Sequence, residues 1–265
     1  MQMFEVGGCV RDEILGVPSK DIDFTVVLEG NEGPYFGADP FRKMTYELES
    51  MGFNIFLSTP EFLTIRAKFP KGVTEVSTMK FTSGPDRTMD ISKYKGLTAD
   101  FVLARKESGY ADGRRPDTVE PGTLIDDLAR RDFTMNAVAK DTDGSYIDPF
   151  NGRQDIARRI IRAVGEPTER LAEDALRAVR ALRFSVTKDF SIALDLGFAM
   201  QDEDVLDAIV NKISDERIQV ELSKMFRFDT VKSLMALNHY PLLTRAMFTG
   251  RVSLDATLKT KGRGQ

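Results

Sequence analysis

Apolar residues recur at two different periods along this chain. In the first hundred residues they come in short runs, rich in β-branched and aromatic side chains, that alternate with polar ones. The runs at 3–6, 21–28 (DIDFTVVL), 53–57, 62–69 (FLTIRAKF), 74–81 (TEVSTMKF) and 100–104 (DFVLA) predict strands. Between them, 9–15 predicts a short helix closed by Gly16, and 40–51 a second helix ending at Gly52. From residue 123 the spacing turns helical, and it predicts helices over 123–140, 152–163, 168–186, 202–210, 215–228 and 230–237. The pattern therefore predicts an α+β fold class in two parts. Residues 1–149 form a sheet-containing domain, and 150–265 form a nearly all-helical one, with the change at DPFNG. The segments 29–40 and TSGPDR (82–87) read as loops. Residues 105–122, with Gly, Pro and charge but no period, read as a mobile loop.

Composition narrows the chemistry. At 42% hydrophobic with a net charge of −4, the chain is too apolar for extended disorder. It has no apolar run of about 18 residues, which a membrane span needs. The opening MQMFEVGGCVRDE has no apolar segment of signal-peptide type. A lone cysteine, Cys9, rules out an internal disulfide or a multi-cysteine metal cluster and suits a reducing cytoplasm. A lone histidine, His239, rules out HExxH and multi-histidine metal sites. Any catalysis must rest on carboxylates and arginines. The net charge supplies no overall basic surface for nucleic acid. Residues 153–183, however, hold eight arginines against five acids, and arginine suits phosphate oxygens and base edges better than lysine does.

Two features stand close together near the start. Asp21 and Asp23 lie two apart, so on one strand they project from the same face. Paired carboxylates repel unless a cation sits between them, and hard divalent cations favour such oxygens. Alone, the pair reads most simply as a solvated strand edge. Upstream, Gly7-Gly8 separates a strand from a helix. Such glycines either supply a tight turn or let backbone N–H groups approach a phosphate. Arg11 follows three residues later, within reach of the same phosphates. The combination of strand, glycine pair, helix and DxD strand is far more specific than either part.

Together these residues, VGGCVRDEILGVPSKDIDF, resemble the first motif of the class II tRNA nucleotidyltransferase and bacterial poly(A) polymerase family. Further blocks follow in family order. They are DFVLARKE at 100–107, LIDDLARRDFTMNAVA at 124–139, IDPFNGRQDI at 147–156, EDALRAVRALRF at 173–184 and SDERIQVELSKMF at 214–226. The resemblance implies a polymerase-beta-like nucleotidyltransferase head with a mixed or antiparallel sheet, followed by a helical neck and short body. It implies Mg²⁺-dependent transfer of CMP and AMP from CTP and ATP to a tRNA 3′ end in the cytoplasm, with pyrophosphate released. CC-only, A-only and poly(A)-adding relatives share the motifs. A non-catalytic RNA-binding remnant and a small-molecule nucleotidyltransferase are the other classes, and the latter gives no reason for EDALRAVRALRF.

The resemblance also assigns roles. Asp21 and Asp23 would bind Mg²⁺. Asp100 would help deprotonate the RNA 3′-hydroxyl, with Glu75 as a rival. Gly8, Arg11 and Arg131 would contact the nucleotide, and Asn136 would support sugar or turn geometry. Asp174, Arg177, Arg180 and Arg183, spaced every three residues, would belong to a protein template for the incoming base. A carboxylate accepts from the exocyclic amine of cytosine or adenine, and an arginine donates to the adjacent ring nitrogen. Uracil presents the reverse pattern, so UTP would be refused. Asp174 and Arg177 carry that edge, while Arg180 and Arg183 lean toward structure or phosphate. The stretch 70–99 matches the family poorly and reads as an insertion. The chain ends soon after the 214–226 block, which implies an RNA grip that is shortened or borrowed from a partner subunit. The RKESGY and GRRP segments of 105–122 resemble the family's mobile loop.

Overall fold

A computed structural model describes residues 1–19, 21–28, 39–72, 75–79, 87–109 and 117–249. The predictions for 29–38, most of TSGPDR and GRRP fall outside the described residues. Two compact units are present. One comprises Met1–Glu107, Val119–Arg131 and Asn136–Arg153. The other comprises Ser108–Thr118, Asp132–Met135 and the residues from Gln154 onward.

The first unit contains strands β1 (Gln2–Val6), β2 (Asp23–Val27), β3 (Asn54–Thr59), β4 (Thr64–Lys68), β5 (Glu75–Met79), β6 (Arg87–Asp90), β7 (Thr98–Leu103), most of β8 (Arg105–Ser108) and β9 (Thr118–Pro121), and β10 (Ala139–Lys140) and β11 (Tyr146–Ile147). Its helices are α1 (Gly8–Ile14), α2 (Pro40–Ser50) and α3 (Leu124–Ala129). Seven strands form a mixed sheet in the order β11-β10-β1-β2-β7-β4-β3. Its one parallel pair is β2–β7, and the other neighbours are antiparallel. Strand alternation explains the core. Phe24 and Val26 of β2, Phe101 and Leu103 of β7, and Ile65 and Ala67 of β4 are buried with Met44 and Leu48 of α2. Phe24 stacks on Phe101 with centroids 5.2 Å apart, and Phe53, Phe69 and Tyr94 complete the aromatic cluster. The opposite face of the same strands carries Asp23, Asp100 and Arg66.

The second unit is helical, as its spacing predicts, with α4 (Gly152–Arg158) leading in. It contains α5 (Pro167–Glu173), α6 (Leu176–Lys188), α7 (Leu194–Ala199), α8 (Glu203–Asn211), α9 (Asp215–Phe228), α10 (Thr230–His239) and α11 (Pro241–Phe248), plus the short parallel pair β12 (Ile160–Ile161) and β13 (Ser191–Ile192). Helices α6 and α9 pack together, each burying an apolar face, and Arg183 of α6 pairs with Glu221 of α9.

Four expectations need correction. The predicted helix 123–140 stops at Ala129. Beyond it, Phe133 makes an isolated bridge to Ala163, Thr134 N–H donates to the Arg162 carbonyl, and Ala139 joins the sheet. These tertiary hydrogen bonds replace helical ones. The predicted helix 152–163 ends at Arg158, because Arg159 takes a left-handed φ of 55° before β12. The run 168–186 is two helices rather than one, broken at Asp174 with φ −150°. The predicted loop 105–122 holds the paired strands β8 and β9, with Gly109 at φ 70°. Local pattern missed α7 and α11, which are short.

Candidate active site

A cavity of about 490 Å³ opens at the edge of the parallel strand pair, lined by Asp21, Ile22, Asp23, Arg66, Thr98, Ala99 and Asp100. Asp23 is the register partner of Asp100 across β2–β7, and Asp100 is the register partner of Arg66 across β7–β4. One row therefore runs Asp23, Asp100, Arg66 over three adjacent strands. Asp21 lies before β2 rather than within it, and the Ile22 carbonyl accepts from Asp100 N–H at 3.0 Å, which extends the pairing toward it. The DxD pair thus shares one cavity, although only Asp23 stands on the strand. Glu75 starts a separate two-stranded sheet and is absent from this lining.

Electrostatics mark Asp23. Burial pushes its carboxyl above the ordinary value, Asp100 and Asp21 push the same way, and Arg131 and Arg66 oppose them. A cation would relieve that repulsion. The donor set, hard carboxylate oxygens without histidine or thiolate, fits a divalent ion of the Mg²⁺ type, which binds one or two carboxylates and fills its remaining positions with water and phosphate. Among the described residues, no group of three or more His, Cys, Asp or Glu side chains is close enough to hold a metal. Asp100 accepts a two-point fork from Arg66: Nε donates to Oδ1 and Nη2 to Oδ2, each 2.6 Å. Arg66 is absent from the motif-based reading. The signal for it was the polar phase of FLTIRAKF, which sets Arg66 opposite the buried Ile65 and Ala67.

The glycine turn sits against this row. Gly7, not Gly8, carries the special geometry, with φ 75° and ψ −134° immediately before α1. A Cβ on Gly7 would lie 2.9 Å from Arg131 Nη1 and 3.7 Å from Asp23 Oδ2. Gly8 is the first residue of α1. Gly7→Ala is expected to destabilise the fold by roughly 1–3 kcal/mol, from the strained backbone and the displaced guanidinium. Urea unfolding would measure this, with Gly8→Ala, whose Cβ meets nothing closer than 3.6 Å, as the milder control.

Arg131 reaches this turn from the end of α3. Its Nη2 donates to Asp127 at 3.0 Å and to the Thr25 hydroxyl at 3.4 Å. Asp127 is fully buried and also accepts from Thr25 Oγ1 at 2.7 Å and Arg130 Nη2 at 2.6 Å. Burial alone would raise the Asp127 carboxyl, but Arg131 and Arg130 beside it hold it below its ordinary value. Asp127 was not singled out by the sequence, although its i, i+4 spacing to Arg131 was visible. Arg11 is buried, with Nε donating to Asp12 at 2.8 Å and Nη1 to Asn136 Oδ1 at 2.6 Å. It ties α1 to the segment after α3.

In the second unit the arginine row is paired residue by residue. Asp174 Oδ1 accepts from Leu176 N–H at 3.1 Å, and Oδ2 accepts from Arg217 Nη2 of α9 at 2.9 Å. Arg177 is buried, and its Nη1 donates to Glu173 and to the Arg170 carbonyl, each at 2.7 Å. Arg180 Nε donates to Asp132 at 2.9 Å, and Arg183 pairs with Glu221. Several motif blocks therefore bind one another: Asp132 and Thr134 of RRDFTMNA take Arg180 and Asp155, with Thr134 Oγ1 2.7 Å from Asp155. The IDPFNG block folds locally, because Asp148 accepts from the N–H groups of Gly152 and Arg153 at 2.7 and 2.9 Å and so caps α4.

A mixed sheet with facing carboxylates on its parallel pair, beside a glycine turn and a pinned arginine, gathers hard oxygen ligands and a fixed cationic donor in one place. Residues 3–162 match the Poly A polymerase head domain, and the chain belongs to that family. It is 32% identical over 236 residues to the CCA-adding enzyme of Limosilactobacillus fermentum, covering 89% of this chain and 48% of that one. To the CCA-adding enzyme of Staphylococcus aureus strain Mu3 it is 36% identical over 248 residues, covering 91% of this chain and 51% of the relative. The chain thus spans about half the length of the curated relatives it matches. Among solved structures, the Bacillus stearothermophilus CCA-adding enzyme in complex with CTP superposes with a TM-score of 0.66 at 28% identity, covering 91% of this chain and 48% of that one. A tRNA nucleotidyltransferase complexed with a primer tRNA and an incoming ATP analog gives 0.65 at 26% identity, covering 94% and 60%. No helix among the described residues is long and apolar enough to cross a membrane.

Proposed function

We propose that this chain transfers CMP and AMP from CTP and ATP to the 3′ end of tRNA, in the manner of the CCA-adding enzymes it resembles. The observation that carries the reading is the pairing of Asp23 with Asp100 inside a cavity shared with Asp21, next to the Gly7 turn. In this reading Asp21 and Asp23 hold a divalent cation, Mg²⁺, whose role when bound is to offset charge developing on the phosphates. Asp100 accepts the proton of the RNA 3′-hydroxyl. That oxygen bonds to the α-phosphorus, and the bond to pyrophosphate breaks. Arg131, pinned beside Gly7 by Asp127, offers a fixed donor to phosphate oxygens. Gly8 leaves the backbone open at the same place. Arg11 acts by holding α1 and Asn136 in place. The buried thiol of Cys9 suits a reducing compartment, and we place the protein in the cytoplasm.

Base choice is assigned to Asp174 and Arg177, with Arg180 and Arg183 bracing the helix that carries Arg177. The test is extension of a tRNA lacking its 3′ CCA with CTP, ATP and UTP supplied singly and together, followed by sequencing of the ends. CCA ends from CTP plus ATP, and none from UTP, are expected. UTP incorporation comparable to CTP would end the template reading. Arg177→Ala is expected to relax base choice more than Arg11→Ala, which should weaken every triphosphate alike and also lower stability, because Asn136 and Asp12 lose a buried partner. Ratios of kcat/KM for CTP and UTP decide between these roles.

A further inference from the structure

We propose that Arg66 is the positioning residue for Asp100: it reserves the third carboxylate of the cavity, so that a cation bound there is held by Asp21 and Asp23. This deepens the reading above and rests on the cavity being a cation site.

The argument starts from register. Asp23, Asp100 and Arg66 are cross-strand partners on adjacent strands, so their side chains leave the sheet on one face, and all three line the cavity. Without Arg66 the row would present Asp23 and Asp100 side by side, with Asp21 nearby. That is the arrangement in which a hard cation is chelated by every carboxylate in reach. With Arg66 present, the guanidinium fork occupies both oxygens of Asp100 at 2.6 Å each. A guanidinium bound to both oxygens and a divalent cation drawn to the same carboxylate carry like charge and repel each other.

The pair is poorly placed to be kept for folding. The Arg66 side chain is 47% exposed and Asp100 is 26% exposed, and ion pairs in such positions contribute little to stability. Its effect falls on the cavity instead. Arg66 also acts on Asp23, offsetting part of the repulsion that Asp23 receives from Asp100 and Asp21. The consequence is a two-carboxylate cation site, which needs water and phosphate oxygens to complete its shell. Asp100, oriented but not bound to the ion, keeps its outer lone pairs for a hydroxyl.

The test is titration of the full chain with Mn²⁺ alone, reading free ion by electron paramagnetic resonance, with thermal melts confirming that each variant is folded. Asp23→Asn is expected to weaken Mn²⁺ binding at least about tenfold, and Asp100→Asn to change it by less than about twofold. Arg66→Met, which frees Asp100, is expected to tighten binding about tenfold, and Arg66→Met with Asp100→Asn to return it to the parent value. The inference is overturned if Asp100→Asn weakens binding as much as Asp23→Asn, or if Arg66→Met leaves it unchanged. It also fails if the tightening survives in the double variant, since Asp100 would then not be the added ligand, or if the parent chain binds no Mn²⁺. Nucleotide incorporation is scored in a separate assay, so loss of the transferase reading and loss of this one are told apart.

Discussion

Asp23→Asn is expected to lower nucleotide incorporation on the order of a thousandfold or more while leaving the fold at least as stable as the parent. The two halves of that result come from the same geometry. Asn keeps the shape of the side chain but removes the charge that would hold a divalent ion, and the loss of several kcal/mol of electrostatic stabilisation multiplies directly into rate. Burial first, then Asp100 and Asp21, push the Asp23 carboxyl above its ordinary value. A carboxyl raised by folding is one whose ionised form the fold tolerates poorly. Neutral Asn removes that penalty at pH values where Asp23 is charged. Incorporation assays and urea melts on the same preparation measure both. A variant that loses activity together with stability would place Asp23 in the scaffold rather than in the chemistry.

Asp127→Ala is the variant expected to damage the fold most, by roughly 3–5 kcal/mol, because it leaves Arg130, Arg131 and the Thr25 hydroxyl without the buried carboxylate they share. The pH dependence follows from the sign of the shift. Burial would raise this carboxyl, but Arg131 and Arg130 hold it below the ordinary value in the folded state. Its stabilising contribution is therefore complete above the unfolded value of about 3.9 and fades as pH falls through the lower folded value. Parent and Asp127→Ala melts should stay parallel from about pH 5 upward, begin to converge below about pH 4, and meet only at pH below the folded value. A difference that persists undiminished in acid would assign the loss to packing rather than to charge. Arg131 should become mobile in the same variant, so its remaining activity should fall further than global stability predicts.

Much of this site was legible in the linear chain. The strand pattern put β2 and β7 within a few residues of their true bounds, and alternation alone set Asp23 and Asp100 opposite their apolar neighbours Phe24 and Phe101. Other features were hidden for physical reasons. Asp21 was read as part of the strand, because nothing local says where pairing begins, and pairing is a property of two segments far apart in sequence. Asp174 was read as helical because its neighbours are good helix formers. Its bonds to Leu176 N–H and Arg217 favour an extended backbone instead, and one of those partners lies 43 residues away. The sequence offers a turn at the glycine pair, and which of the two takes the positive φ is settled only when the turn is built: it is Gly7.

By itself the chain determined the α+β fold class with its helical C-terminal region, and the family motifs and their order. Those follow from residue type and spacing, which act locally. Only the tertiary structure decided which charges meet. Arg66 reaches Asp100 across a sheet, Asp127 pins Arg131 beside Gly7, and each arginine of the 177–183 row finds its own acid. A long cationic side chain can serve phosphate, base or carboxylate equally well. Its partner is chosen by the strand register and helix packing that bring one acceptor within about 3 Å and leave the others out of reach.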